Sequence, residues 1–244
     1  QVGRQFGAVG LGIYAVFSWG AALRQNDNPA FTLIWKTPAF LATTVGYGLI
    51  AFSAYAVSFW SAPYAETVLG ETKAQAAIFV GAPGALAGFL GVIMGGRLAD
   101  FLRKKNPAGR LIVALFGAIA PIIPMVFAFT TTDPAIFYIL NFLMGIFSST
   151  ALGACAATTQ DLVLPRMRGI ATATFFIGTT LIGLAFGPYM AGYVSTVTGS
   201  LTTGMLSLLV VAPISIGALF YAYRSVPKAA DTVIERARAA GEHI

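Results

Sequence analysis

Gly95-Gly96-Arg97-Leu98-Ala99-Asp100-Phe101-Leu102-Arg103-Lys104-Lys105 concentrates charge between two long apolar runs. Residues 74–94 before it and 111–132 after it contain no ionised side chain. Crossing about 30 Å of hydrocarbon takes about 20 helical residues, so each run is long enough to span a bilayer. The charged hinge between them therefore lies at a membrane surface.

Composition agrees. Hydrophobic residues make up 57% of the 244 and charged residues 10%, with a mean hydropathy of +0.78. A soluble domain carries about 25% charged residues, so the composition is that of an integral membrane protein. The net charge of +6 sits between apolar runs and is not spread over a soluble face, which argues against a nucleic-acid partner. Cys155 is the only cysteine and lies in an apolar run, where it reads as a small packing residue. The chain opens at Gln1 without a signal-peptide pattern and reads as part of a longer polypeptide.

Residues 1–37 are either the end of a preceding transmembrane helix or an interfacial helix in a linker, with the linker favoured: the apolar segment 6–23 is glycine-rich and barely long enough to span. Asn26-Asp27-Asn28-Pro29 is turn chemistry and predicts a break. From Pro38 onward six apolar spans are expected, at about 38–62, 74–96, 110–130, 134–157, 169–195 and 201–224. Alternate connectors differ sharply in charge. Those that share one side hold Arg24, Lys36, Arg97, Arg103, Lys104, Lys105, Arg110, Arg166, Arg168, Arg224 and Lys228, against Lys73 alone on the other side. Lysine and arginine are retained in cytoplasmic loops, so both ends of the six-helix set are expected in the cytoplasm of a cell or inner membrane. Residues 225–244, with Asp231, Glu235, Arg236 and Arg238, are expected to form a solvated, fraying cytoplasmic tail.

A faint repeat runs through the spans. The second carries Gly84, Gly88, Gly91 and Gly95; the fifth carries Gly178, Gly183, Gly187 and Gly192. Small residues at such spacings let helices approach closely in lipid, where packing must supply the attraction. Three spans per unit make the two units cross in opposite senses, an inverted 3+3 arrangement found in transporters.

Three motifs carry a specific resemblance. Gly96, Asp100 and the basic cluster from Arg103 and Lys104 resemble the loop motif between the second and third helices of a triplet in the major facilitator superfamily, departing from it at Phe101 and Arg103. Residues 160–169, including Asp161, Arg166 and Arg168, lead into a segment with Gly183, Gly187 and Pro188 that is similar to the spinster-like branch of that superfamily, as is Trp35-Lys36-Thr37-Pro38-Ala39-Phe40. The resemblance covers about residues 33–224. It implies an all-α membrane protein whose six transmembrane helices form the C-terminal half of a twelve-helix carrier, with the N-terminal half of the same transporter as its partner. It also implies that Asp100 latches the cytoplasmic side by meeting a helix of that other half. Asp100 sits at a helix C-terminus, where the dipole disfavours a carboxylate, so its other reading is a local ion pair with Arg97 or Arg103. Arg166 and Arg168 either pair locally near Asp161 or contact lipid headgroups. Gly183, Gly187 and Pro188 are expected to form a thin or bent packing face.

No span interior contains Asp, Glu, Lys, Arg or His. Proton relays need ionisable groups within the membrane, so with a proton as coupling ion the titrating residues fall in the N-terminal half. If the first and fourth spans line a central cavity, as the resemblance implies, then Tyr47 and Tyr55 on one and Asn141 and Ser148 on the other are wall candidates at helical spacing. For Asn141 an interhelical hydrogen bond is preferred to substrate contact, since an amide facing lipid leaves its donors unpaired. Such a wall suits a small amphipathic substrate, and the resemblance points to lysolipids or sphingolipid-like molecules. Alternatives are a drug or multidrug efflux carrier of the same superfamily and a non-transporting six-helix scaffold. No catalytic or metal-ligating cluster and no cofactor is expected, since the only histidine, His243, lies in the tail.

Overall fold

The computed structural model describes residues 2–243, with side chains at positions 10, 12, 14 and 17–243; the chain ends Gln1 and Ile244 lie outside the described residues. Two helices come first, α1 (Val2–Asn26) and α2 (Asn28–Trp35). Asp27 separates them as sequence chemistry requires: its carboxylate accepts from the backbone N–H of Ala30 at 3.0 Å, capping α2, and Pro29 occupies the first turn, where its missing N–H costs nothing.

Six helical segments long and apolar enough to cross a membrane follow. The first span is α3 (Pro38–Thr67) and the second is α4 (Lys73–Lys105). The third is α5 (Gly109–Ile119) resumed as α6 (Ile122–Ala128), and the fourth is α7 (Pro134–Asp161). The fifth joins α8 (Arg168–Thr180) through a π-helical turn, Leu181–Ala185, to α9 (Phe186–Thr198). The sixth joins α10 (Leu201–Ser207) through a 3-10 turn, Leu208–Val211, to α11 (Ala212–Asp231), and α12 (Val233–Ala239) closes the described chain. No strand occurs among the described residues. Helices satisfy their own backbone groups, which lipid cannot do.

The helix ends carry their own stops. Thr72 and Gln75 form a reciprocal capping box on α4, Asp133 caps α7 ahead of Pro134, and Ser200 caps α10. Gly199 ends α9 with φ +69, a left-handed conformation in which a side chain is strained.

The packing pattern shows the inverted repeat directly. The first span packs on the fifth and sixth, the fourth packs on the second and third, and the first and fourth meet each other. Exchanging the first three spans with the last three maps this pattern onto itself. The glycines fit it. A Cβ on Gly91 or Gly95 would strike the backbone of Ile146 or Thr150 in the fourth span; one on Gly183 or Gly187 would strike Ala51 or Phe52 in the first. Gly91 and Gly183 are separated by the same length of chain as Gly95 and Gly187 and as Pro121 and Pro213, the prolines at the breaks of the third and sixth spans. Gly84 and Gly88 differ: nothing lies within 4 Å of either, so in the second span only the later pair is needed for close approach.

All the basic connectors lie at one end. There Leu33 and Ile34 of α2, Leu162, Val163 and Met167 of the connector between the fourth and fifth spans, and Val226, Val233 and Ala237 of the C-terminal segment share one buried cluster. The tail is thus not the solvated, fraying helix expected: α11 runs on through Pro227, and Val233 and Ala237 are buried against α2. Within residues 1–37, α1 makes contact with the fifth span. A Cβ on Gly12 would touch Leu181, and Trp19 donates its indole N–H to Thr174 at 3.1 Å. At the opposite end Tyr64, Phe129 and Phe137 are fully buried in one aromatic cluster, and the Tyr64 hydroxyl reaches the Phe129 carbonyl at 3.0 Å, fastening the first span to the third and fourth.

Candidate functional site: an uncharged cavity and its charged end

Two features can do chemistry of recognition. The first is an open cavity of about 480 Å³ lined by the first, second, third, fourth and sixth spans. Tyr47, Tyr55, Asn141 and Ser148 all line it, so the four wall candidates are brought to one site. Tyr47 is held by stacking on Phe175 with ring centroids 5.4 Å apart. Ser148 spends its hydroxyl proton on the Met144 carbonyl of its own helix at 2.8 Å. Among the described residues the interhelical hydrogen bond expected of Asn141 is not made: its Nδ2 is buried and finds no partner there. Among the described residues no acidic or basic side chain lines the cavity.

Sequence reasoning missed how far this cavity reaches behind the first and fourth spans. Its back wall is made where the third and sixth are interrupted, by Gly117, Pro121 and Ile122 on one and Leu208, Leu209 and Ala212 on the other. Pro121 and Pro213 have no N–H for the carbonyl four residues earlier, so continuous helix is costly there. Those prolines were visible signals of the breaks. Gly81 and Gly84 complete the wall from the second span with no side chain to fill it.

The second feature is the charged end. Asp100 pairs with Arg110 at 3.1 Å and not with Arg97 or Arg103, and its side chain is 67% exposed. Asp161 pairs with Arg110 at 2.5 Å and Arg103 at 3.3 Å, not with Arg166 or Arg168. The physical reason is placement. Asp161 ends α7, where the helix dipole repels a carboxylate, and the start of α5 carries Arg110 into reach. Lys104 and Gly96 are exposed or half-exposed on α4 and outside these pairs, and Arg168 opens α8, exposed.

Arg166 instead bridges two distant carboxylates. It donates to Glu242 through Nε at 2.6 Å and to Asp27 through Nη1 at 2.7 Å, joining the α1–α2 turn to the C-terminal segment. Hydrogen bonding from Arg166 holds both the Asp27 and Glu242 carboxyls below their ordinary values, while the two carboxylates raise the guanidinium's. Asn28 adds a bond to the Ala240 carbonyl at 3.0 Å, and Arg236 donates to Thr37 and to the Ala229 carbonyl.

Gly183 and Gly187 lie against the first span, and the π-helical turn precedes Pro188, which cannot donate to the Leu184 carbonyl inside it. Trp60 donates to the Pro188 carbonyl at 2.9 Å.

Six apolar spans in an inverted repeat around an uncharged cavity define a multi-pass membrane domain. The chain belongs to the major facilitator superfamily: the family model described as "Major Facilitator Superfamily" matches residues 7–173. An MFS-type efflux pump of Mycolicibacterium smegmatis is 27% identical over 208 residues, covering 83% of this chain and 48% of the pump. Protein spinster homolog 1 of Xenopus laevis is 26% identical over 197 residues, covering 72% of this chain and 38% of that protein. Among solved structures, an inward-facing, unoccupied bacterial homolog of the human lysosomal transporter spinster matches with a TM-score of 0.61 at 21% identity, over 85% of this chain and 50% of that one. The chain thus spans about half or less of the length of these relatives and has the fold of one half of a carrier, similar to the spinster-like branch.

Proposed function

We propose that this chain is the C-terminal half of a secondary active transporter that moves an amphipathic, lipid-like or hydrophobic small molecule by alternating access. The observation that carries the reading is the cavity, walled by tyrosine, serine, asparagine and aliphatic side chains with no acidic or basic group. Amphiphiles suit such a wall because their apolar part gains from leaving water while a few hydroxyl and amide groups orient the rest. Proton coupling, on this reading, belongs to ionisable residues in the N-terminal half, since the span interiors here hold no Asp, Glu, Lys, Arg or His. The basic end faces the cytoplasm by the distribution of arginine and lysine. There the pairing of Asp100 with Arg110, only partly shielded, leaves the Asp100 carboxylate available to the other half as a latch.

The test is transport by the complete carrier in proteoliposomes. Accumulation of a fluorescent single-chain amphiphile under an imposed proton gradient, abolished by a protonophore, is the expected result. Movement of hydrophobic cationic dyes with rejection of the amphiphile favours a drug efflux carrier, and no movement of either leaves a scaffold.

A further inference from the structure

We propose that a groove between α1 and α2 binds an anionic phospholipid of the leaflet at the basic end, its phosphate between Arg24 and Lys36 and an acyl chain along Phe17, Gly20 and Ala21. The groove has a volume of about 540 Å³ and shares no residue with the cavity, so its occupancy is independent of what the carrier moves. Phe17, Gly20, Ala21 and Arg24 line it from α1, at the three- and four-residue spacing of one helix face, and Phe31 and Trp35 line it from α2. Gly20 lets the two walls close up, since a Cβ there would stand 3.2 Å from the Trp35 indole. Depth along α1 follows from its neighbours. Gly12 adjoins Leu181 and Trp19 bonds to Thr174, so toward Arg24 the helix approaches the basic end of the fifth span, where α8 begins at Arg168. Phe17 is 69% exposed and lies about 10 Å deeper than Arg24 at 1.5 Å per residue. An apolar strip below a cation is the order of a lipid's chain and phosphate.

The charge has the right sign and is unspent. Among the described residues Arg24 and Lys36 form no ion pair, and no acidic side chain lines the groove. Asp27, the carboxylate nearest to Arg24 in sequence, is taken by Arg166 at 2.7 Å. Lys36 reaches the same site from α2: its Nζ lies 5.9 Å from the centre of the Phe31 ring, and Phe31 stacks on Trp35 with centroids 6.5 Å apart. One aromatic wall thus joins the lysine to the groove that Arg24 borders. Tryptophan settles at headgroup level, and basic pockets between membrane helices hold anionic headgroups. A guanidinium fork matches the oxygens of a phosphate, whereas a zwitterionic headgroup brings its own cation into the same field.

The experiment titrates dioleoylphosphatidylglycerol and dioleoylphosphatidylcholine onto the complete, delipidated carrier and follows the tightest-bound lipid by native mass spectrometry. Phosphatidylglycerol is expected to bind roughly tenfold tighter than phosphatidylcholine, and Arg24→Gln and Lys36→Gln each to weaken it about fivefold, the contribution of one basic residue near a headgroup. Unchanged phosphatidylcholine binding reports that these variants are folded. Ala21→Phe fills the groove while keeping both cations, and is expected to remove the tight phosphatidylglycerol site. Arg224→Gln is the control for charge alone: it also takes a cation off an aromatic face, that of Phe220 at 5.0 Å, but Arg224 does not line the groove, so affinity should hold. Equal affinity for the two lipids, or losses as large at Arg224 as at Arg24 and Lys36, overturns the proposal. A phosphatidylglycerol preference unmoved by Arg24→Gln, Lys36→Gln and Ala21→Phe overturns it too, and leaves the N-terminal half as what covers the groove.

Discussion

Arg110 and Asp161 meet at 2.5 Å, tying the first turn of the third span to the last residue of the fourth. Arg103 approaches the same carboxylate at 3.3 Å from the end of the second span, so three helix ends converge on one group. The pair is largely shielded, with 18% and 27% of the two side chains exposed. Asp161→Asn leaves two guanidinium groups sharing a neutral amide. The expected cost is ~2 kcal/mol, read as a lower thermal transition of the purified carrier, because removing one partner from a shielded pair leaves the other uncompensated. An unchanged transition would show that the three helix ends are held by apolar packing alone.

Asp100→Asn separates latch from local pairing. Asp100 is mostly exposed and Arg110 keeps Asp161, so thermal stability should stay within about 0.5 kcal/mol of the unaltered carrier. The latch reading nevertheless expects the inward-open population to rise, by roughly threefold to tenfold for a lost interaction of about 1 kcal/mol. Electron-paramagnetic-resonance distances across the cytoplasmic face measure it, and identical distance distributions remove the latch.

The inverted repeat makes a paired prediction. Gly95→Ala and Gly187→Ala each drive a methyl into a carbonyl of the neighbouring span, at Thr150 and Phe52, and each should cost ~1–3 kcal/mol through overpacking. Gly84→Ala, with open space around it, should be near neutral. Loss of stability at Gly84 equal to that at Gly95 would contradict the packing described.

The clamp on Arg166 has a pH window set by its two carboxylates. Both are depressed in the folded chain by hydrogen bonding from Arg166, below ordinary values of 3.8 for Asp27 and 4.5 for Glu242. A depressed carboxylate contributes stability that is present above its unfolded value and is lost as pH falls through the folded one. The C-terminal segment, held through Glu242, should therefore keep this contribution from about pH 8 to pH 5 and lose it only as pH falls below 4.5. Arg166→Ala should free it at neutral pH, raising the rate of limited proteolysis near Ala239 by roughly fivefold, the scale of an exposed ion pair. Cleavage that accelerates already near pH 6 would place the controlling group elsewhere.

The parts of this architecture that depend on local pattern were legible. Runs without charge marked the spans, and once the resemblance made the first and fourth spans cavity walls, helical spacing picked out Tyr47, Tyr55, Asn141 and Ser148, which line the cavity. What stayed hidden depends on distance in space. Asp161 is close in sequence to Arg166 and Arg168, yet its partners come from Arg103 and Arg110, because the turn after α4 folds back onto the end of α7. Charge also misled about boundaries. Arg97 to Lys105 reads as a loop, but helix α4 continues through it, since a helix leaving the hydrocarbon keeps its hydrogen bonds and can carry charge outward. The role of Glu242 on Arg166 had no local signal at all.

The wide turn at Leu181–Ala185 sets the rotational phase between the two ends of its span. A π-helical turn accommodates one more residue than an α-helical one, and each residue turns an α-helix by about 100°. Deleting a single residue there would leave a plain α-helical turn with the two ends of the span still nearly in phase, whereas deleting one from α8 would swing the far end round by about 100°, carrying Gly187 off Phe52 and Gly192 off Trp60. The bulge thus marks a point in this span at which the chain can shorten by one residue without any compensating change, while the α-helical segments on either side have no such slack.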